Sequence, residues 1–185
     1  MPSPTPETRY AKSGDVNIAY QVVGAGPLDL VYVPGWVSHL ELASAMGDDG
    51  WKQVLKSYYD VARREVKRFR GREIDTAGDG FFASFEAPAE AVRCAQAMVD
   101  ALWKDGIPIR AGLHTGECER LGDKLGGLAV NIGARVASLA GPGEVLVSST
   151  VKDLVAGSGL AFDERGEHEL KGVPGTWRLY AVADA

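Results

Sequence analysis

The stretch Glu73-Ile74-Asp75-Thr76-Ala77-Gly78-Asp79-Gly80-Phe81-Phe82-Ala83-Ser84-Phe85-Glu86 consists of two β-rich runs around a Gly-Asp-Gly turn. A glycine-aspartate turn between β-rich runs is a strong signal for a tight hairpin. The sequence therefore predicts two antiparallel strands, at about 73–77 and 81–86, with Asp79 at the tip. Glycines on both sides of Asp79 leave room for a ligand to approach its carboxylate closely.

An amphipathic helix is predicted on each side of this hairpin. The pattern changes to helix around residue 40, and from residue 48 onward apolar residues recur at steps of three and four, with Asp48 or Asp49 as the N-cap and Gly71 as the stop. After the hairpin, Ala87-Pro88 opens a second amphipathic helix that runs to about Trp103.

The next elements outward are two strands, at 28–33 and at 107–118. The resulting order β-α-β-β-α-β predicts an α+β fold, a ferredoxin-like βαββαβ antiparallel sheet backed by helices. Polar residues 119–125 predict a loop. The elements predicted after that loop are a helix at 127–140, a strand at 144–147, a short helix at 148–155 and strands at 160–170 and 177–182.

The composition excludes several classes of function. Twenty basic and 25 acidic residues give a net charge of -5, so nucleic acid and anionic membrane surfaces are not expected partners, because the summed field has the wrong sign. No window approaches the roughly 18 uncharged apolar residues of a membrane span. Without a secretory signal at the start, Cys94 and Cys118 are expected to be buried apolar residues in a cytoplasmic protein.

Five side chains suit the chemistry of a nucleotide and its metal. The Asp79 carboxylate suits Mg²⁺ or Mn²⁺, which prefer oxygen ligands. Arg110 lies on a predicted strand, and Lys171 lies in a hairpin rich in glycine and proline. Asn131 and Arg135 are four residues apart on a predicted helix, so both face one ligand. Taken singly, each of these residues is more often structural, but together they describe a metal–nucleotide site.

Residues from about 46 to 182 resemble the catalytic domain of class III nucleotidyl (adenylate/guanylate) cyclases. The matching motifs are Ile74-Asp75-Thr76-Ala77-Gly78-Asp79-Gly80-Phe81, Ile109-Arg110-Ala111-Gly112-Leu113-His114-Thr115-Gly116, Val130-Asn131-Ile132-Gly133-Ala134-Arg135, Ala140-Gly141-Pro142-Gly143-Glu144-Val145 and Leu170-Lys171-Gly172. The resemblance implies the class III cyclase fold and a head-to-tail homodimer with sites at its interface. It also implies conversion of ATP to cyclic AMP and pyrophosphate.

The resemblance implies a role for each of the five side chains. Asp79 would bind metal, while Arg110 and Lys171 would contact the phosphates. Asn131 would orient the ribose, and Arg135 would stabilise charge on the α-phosphate. Two divalent cations, Mg²⁺ or Mn²⁺, would make the 3′-hydroxyl acidic and neutralise the leaving pyrophosphate.

One metal ligand of the family is missing from this chain. Counting back by the family's spacing from Met46-Gly47-Asp48 and from Asp79, both routes lead to Gly35, where the family has its second aspartate. Asp29 lies too early in the strand and Glu41 too late to replace it. We therefore expect a weak or inactive cyclase; the alternative is a non-catalytic cyclase-homology domain that dimerises or binds nucleotide.

The positions that select the base also depart from the adenylate-specific pattern. Where such members carry Lys and Asp, this chain carries Asp75 and Lys124, so the two charges are exchanged. The pair could hydrogen-bond to adenine or form a salt bridge, and Asp123 leaves the register open by one residue. The preference between ATP and GTP therefore stays open.

Residues 9–36 resemble a different family, the α/β-hydrolases, whose opening strands they match. No G-x-S-x-G follows, so no hydrolase activity is predicted. The predicted organisation is a flexible tail at 1–8, a hydrolase-like remnant at 9–41 and a cyclase homology domain at 42–185. The last strand of the remnant is expected to complete the cyclase sheet.

Overall fold

The computed structural model describes residues 9–13, 16–20, 29–36, 40–77, 79–121 and 124–183, with side chains in 49–76, 79–119 and 125–183. The predicted tail at 1–8 lies outside these ranges. The elements in chain order are β1 (Arg9–Ser13), β2 (Val16–Tyr20), β3 (Asp29–Trp36), α1 (Leu40–Arg68), β4 (Arg72–Ala77), β5 (Gly80–Phe85), α2 (Pro88–Lys104), β6 (Ile109–Gly116), β7 (Glu119–Leu121), β8 (Lys124–Gly126), α3 (Leu128–Leu139), β9 (Val145–Ser148), α4 (Ser149–Leu154), β10 (Phe162–Glu169) and β11 (Thr176–Val182).

Seven of these strands form one sheet in the order β10-β11-β9-β6-β3-β5-β4. The part β6-β3-β5-β4 is antiparallel throughout, and α1 and α2 connect its strands. This confirms the predicted α+β, ferredoxin-like βαββαβ arrangement. Strand β9 extends the sheet parallel to β6, and β11 and β10 follow antiparallel. Strands β1 and β2 form a separate two-stranded sheet.

Helices cover both faces of the sheet. On one face, α1 and α2 bury Tyr58 and Met98 against the inward side chains of β5 and β6, which include Phe81 and Leu113. On the other face, α3 buries Val136 with residues of β9 and β11. Alternation along β6 therefore points its even-numbered residues, 110, 112 and 114, toward the face that α3 covers. No helix among the described residues is long and apolar enough to cross a membrane.

Gly112 lets β6 and α3 touch backbone to backbone. A Cβ atom at this position would overlap the backbone nitrogen and Cα of Ala137. Only glycine allows this approach, because the Cβ of any other residue would push the helix off the strand. The close contact fixes the last turn of α3 over the first residues of β6.

Gly112→Ala is expected to lower the free energy of unfolding by about 3 kcal/mol, because α3 must shift away from β6 to admit the methyl group. Urea denaturation followed by circular dichroism measures this change. The matched control is Gly141→Ala, whose Cβ would meet Glu144 at 3.6 Å, an ordinary contact. The control should stay within about 1 kcal/mol of the parent. Equal losses in the two variants would contradict the assignment.

The predicted N-cap of the first helix is wrong. Helix α1 begins at Leu40, so Asp48 and Asp49 lie inside it. Residues 40–47 include leucine, glutamate, alanine and methionine, which favour helix, so α1 begins before the two aspartates. The helix end also differs from prediction, because Arg70, at φ 59°, takes the left-handed position next to the predicted stop at Gly71. Gly71 is needed because a Cβ there would overlap the ring of Phe85.

The loop predicted at 119–125 is wrong as well. Strands β7 and β8 form an antiparallel hairpin there. Cys118 and Ala129 are buried at its base, with Phe82 and Leu125 packed against them. This apolar contact organises a segment whose polar composition suggested a loop. Cys94 and Cys118 are both buried, as expected.

Candidate functional site

Strand β3 places Gly35 directly opposite Arg110 on β6. Residues directly opposite in an antiparallel pair project from the same face, so position 35 shares the face of the Arg110 side chain. That face is the one α3 covers, and Arg110 Nη1 donates a hydrogen bond to the Ser138 carbonyl at 3.5 Å. The Arg110 Nε atom is buried and has no hydrogen-bond partner within the described residues.

Arg135 and Lys171 lie at the junction of α3 and the β10–β11 hairpin. Arg135 Nε donates a hydrogen bond to the Lys171 carbonyl at 3.1 Å. Asn131 lies one turn earlier on the same exposed face of α3. Ser138, which sequence reasoning missed, donates its hydroxyl to the Arg135 carbonyl at 2.7 Å while its own carbonyl accepts from Arg110. The last turn of α3 thus joins Arg110, Arg135 and Lys171.

Arg110 and Arg135 differ from most other arginines whose side chains the structure describes, and Lys171 resembles these two in having no carboxylate partner there. Among the described side chains, none of the three forms an ion pair with a carboxylate. Seven other arginines do: Arg63, Arg64, Arg68, Arg70, Arg93, Arg165 and Arg178. In a chain with net charge -5, cations left without carboxylates favour the binding of an external anion.

Asp79 lies at the turn between β4 and β5 and is half-buried. Burial raises the pKa of Tyr58 and of Tyr59, and the negative charge of Asp79 adds to both increases. The pairing of β3 with β5 ends at Tyr32 and Ala83; the same register, continued for three residues, would bring Gly35 level with the glycine that follows Asp79.

The side chains present do not fit a centre for two divalent cations. Such a centre, with Mg²⁺ or Mn²⁺, needs several carboxylate oxygens. Asp79 is the only residue predicted here to bind metal, since Gly35 supplies no ligand and its cross-strand neighbour is the cation Arg110. Within the described ranges, no three histidine, cysteine, aspartate or glutamate side chains are grouped so that they could hold a metal ion.

The predicted base-selecting residues lie on neighbouring elements. Asp75 is half-buried on β4, where its Oδ1 accepts a hydrogen bond from the Thr76 amide at 3.0 Å. Strand β8, which begins at Lys124, lies beside β4. The side chain of Lys124 and the residue Asp123 lie outside the described parts, so the pairing of Asp75 with Lys124 stays a prediction.

His114 is a buried titratable group on the α3 side of β6. Its Nδ1 and the Ser148 hydroxyl share a hydrogen bond of 2.8 Å, and its ring meets that of Trp177 edge-on at 5.3 Å. Burial lowers the pKa of His114 from 6.5 to about 4. The imidazole therefore joins β6, β9 and β11 in its neutral form.

This burial predicts a pH dependence of stability. The folded chain binds the His114 proton less readily than the unfolded chain, because the folded pKa is the lower one. The stabilising contribution is therefore complete above pH 6.5 and is lost as the pH falls through about 4. We expect a loss of roughly 3 kcal/mol across this window. Urea denaturation of the parent and of His114→Gln measures it; parallel curves for the two proteins would contradict the prediction.

Comparison with known proteins agrees with this fold. A model of the adenylate and guanylate cyclase catalytic domain matches residues 41–184. The match begins after β3, so Gly35 lies outside it. The chain is 30% identical over 132 residues to putative adenylate cyclase 3 of Rhizobium meliloti (strain 1021), covering 66% of this chain and 21% of that protein. The chain thus spans about a fifth of the length of this relative.

Solved structures share the architecture. The adenylyl cyclase CyaB from P. aeruginosa superimposes with a TM-score of 0.78 at 20% identity, over 85% of this chain and 94% of that one. The guanylate cyclase domain of RhGC from Catenaria anguillulae, solved in complex with GTP, gives 0.76 at 21% identity, over 84% and 96%. At these identities the likeness shows a common fold. Together with the family match over most of its length, it means that this chain belongs to the adenylate and guanylate cyclase catalytic domains.

Proposed function

We propose that this chain is a class III nucleotidyl cyclase domain that forms cyclic AMP and pyrophosphate from ATP at a low rate. Two observations carry the proposal. Arg110, Arg135 and Lys171 have no carboxylate partner among the described side chains, and the two guanidinium groups are held near the end of α3 by hydrogen bonds to the Ser138 and Lys171 carbonyls. A triphosphate chain is the anion that this family's substrates would bring to such a group. GTP remains the alternative substrate, because the pairing of Asp75 is open.

The chain's own residues would divide the work of the reaction. Arg110 and Lys171 would bind the outer phosphates through charge-assisted hydrogen bonds. Asn131 would orient the ribose so that its 3′-oxygen is in line with the bond to the leaving pyrophosphate. Arg135 would stabilise the negative charge that grows on the α-phosphate as that bond breaks. The 3′-hydroxyl proton would pass to solvent.

A divalent cation, Mg²⁺ or Mn²⁺, would enter as part of the metal–nucleotide substrate, with Asp79 as its one side-chain ligand. A homodimer with its sites at the interface belongs to the same proposal. The exposed positions of Asn131 and Arg135 on α3 support it, because they leave both side chains accessible to a second copy.

Formation of cyclic nucleotide by the purified chain, with Mn²⁺-ATP and with Mn²⁺-GTP, tests the proposal. We expect slow formation of product that Asp79→Ala abolishes. The matched control is Asp153→Ala, which removes an exposed carboxylate that pairs with its neighbour Lys152; the rate of this variant should equal that of the parent. Product that persists in Asp79→Ala would refute the assigned site.

The second candidate function is a non-catalytic domain that binds nucleotide or dimerises. The observation that favours it is Gly35, because one carboxylate in place of two weakens activation of the 3′-hydroxyl. Nucleotide binding without product, in the parent and in a variant with an aspartate restored at this position, would establish the second function in place of the first.

A further inference from the structure

We infer that this site holds the triphosphate chain of its nucleotide through direct contacts with its cations, so that binding of the nucleotide, in contrast to its turnover, needs no divalent cation. The inference rests on the proposed function, since it concerns the same three cations. It follows from the mismatch between the side chains present and a two-cation centre, and it makes the affinity for triphosphate independent of metal.

The first step is the charge at the Gly35–Arg110 pair. A carboxylate at position 35 would lie about 5 Å from the cross-strand residue, on the same face, where it would neutralise part of the guanidinium charge. Glycine supplies no such charge at position 35, and Arg110 forms no ion pair with a carboxylate among the described side chains. A divalent cation at this position would be repelled by Arg110, whereas a phosphate oxygen would be attracted.

The second step is the supply of hydrogen-bond donors. Buried Nε of Arg110 has no acceptor within the described residues, and Nη1 reaches only the Ser138 carbonyl at the long distance of 3.5 Å. Arg135 is anchored through Nε to a carbonyl oxygen, which, in contrast to a carboxylate, does not neutralise the positive charge of the guanidinium. A guanidinium presents its donors in a fork that matches two phosphate oxygens.

The third step concerns the free ligand. A triphosphate without metal carries more negative charge than its metal complex, so three cations attract it more strongly. Lys171, whose backbone carbonyl accepts the hydrogen bond from Arg135, adds an exposed ammonium group. The site therefore has the charge to replace the bridging cation as the partner of the phosphate oxygens.

Isothermal titration calorimetry of the purified chain with ATP and with inorganic triphosphate, in excess EDTA or in Mn²⁺, tests the inference. We expect the Kd of each ligand in EDTA to be equal to or lower than its Kd in Mn²⁺.

Binding that appears only with Mn²⁺, while cyclic nucleotide still forms, would overturn the inference and leave the proposed function standing. Absence of binding in both buffers, together with absence of product, would overturn both. Binding of ATP without binding of inorganic triphosphate would also overturn it, because the base and ribose would then supply the affinity.

Variants at the cross-strand pair test the role of charge. Gly35→Asp should weaken triphosphate binding in EDTA by about tenfold, whereas Gly35→Asn, of the same size and without charge, should leave it near the parent value. Arg110→Gln should weaken it by a similar factor. Melting curves of each variant establish that it is folded. Equal losses in Gly35→Asp and Gly35→Asn would mean a steric effect and would contradict the inference.

Discussion

Gly35→Asp is expected to raise the rate of cyclic AMP formation in Mn²⁺ by more than about a hundredfold, which corresponds to roughly 3 kcal/mol of transition-state stabilisation. The new carboxylate would project from β3 on the face of Arg110, level with the turn that carries Asp79. With two carboxylates, the site can hold a divalent cation next to the 3′-hydroxyl and favour loss of its proton. The measurement is the initial rate of product formation at saturating Mn²⁺-ATP and Mn²⁺-GTP.

Gly35→Asn is the control for this gain of activity. It brings the volume of aspartate to the same position without a negative charge, so its rate should stay within a few-fold of the parent. A similar gain in both variants would mean that the strand was merely stabilised. If parent and Gly35→Asp both form no product, the cyclase proposal fails and the chain is better described as a binding or dimerisation module.

Arg135→Ala, made in the Gly35→Asp background, is expected to lower kcat by about 100- to 1,000-fold, the loss typical of removing one preorganised donor to a developing negative charge. The side chain is exposed, and its hydrogen bond in the structure goes to the Lys171 carbonyl. The folded state should therefore lose little stability, and KM should change less than kcat. Steady-state kinetics with Mn²⁺-ATP, together with a melting curve, separate the two effects.

The matched control for this loss is Arg178→Ala. Arg178 is another exposed arginine, but it pairs with Glu164 and Glu167 on the neighbouring strand. Its removal should leave kcat within a few-fold of the background. If Arg135→Ala lowers kcat no more than Arg178→Ala does, Arg135 does not stabilise the transition state.

The order of elements was predictable because each depends on local pattern. The Gly-Asp-Gly turn identifies the β4–β5 hairpin, and apolar periodicity identifies α2 and α3 to within a residue or two. The prediction failed where local signals and packing disagree. Aspartates 48 and 49 look like helix caps, yet α1 continues through them. Residues 119–125 look like a loop, yet buried Cys118 and neighbouring Leu125 organise them into β7 and β8.

Some features of the candidate site could likewise be predicted from the sequence, and others could not. The sequence alone gives the types of the candidate site residues, at positions 35, 79, 110, 131, 135 and 171. It also gives the resemblance to cyclases, which the family match supports. Spacing on one helix also places Asn131 and Arg135 on a common face. These features depend on residue type, or on residues close together in the sequence, so they can be predicted without knowledge of the tertiary structure.

The partners of these side chains could not be read from the sequence. Gly35 and Arg110 meet because β3 pairs with β6 across two helices and a hairpin. Arg135 meets Lys171, and Ser138 meets Arg110, because Gly112 lets α3 approach β6 and the β10–β11 hairpin returns beside the helix. Contacts between residues so far apart in the sequence depend on how the strands pair and how the helices pack on the sheet. That Arg110, Arg135 and Lys171 have no carboxylate partner among the described side chains is therefore a property of the packed fold, since the net charge of -5 for the chain would suggest the opposite.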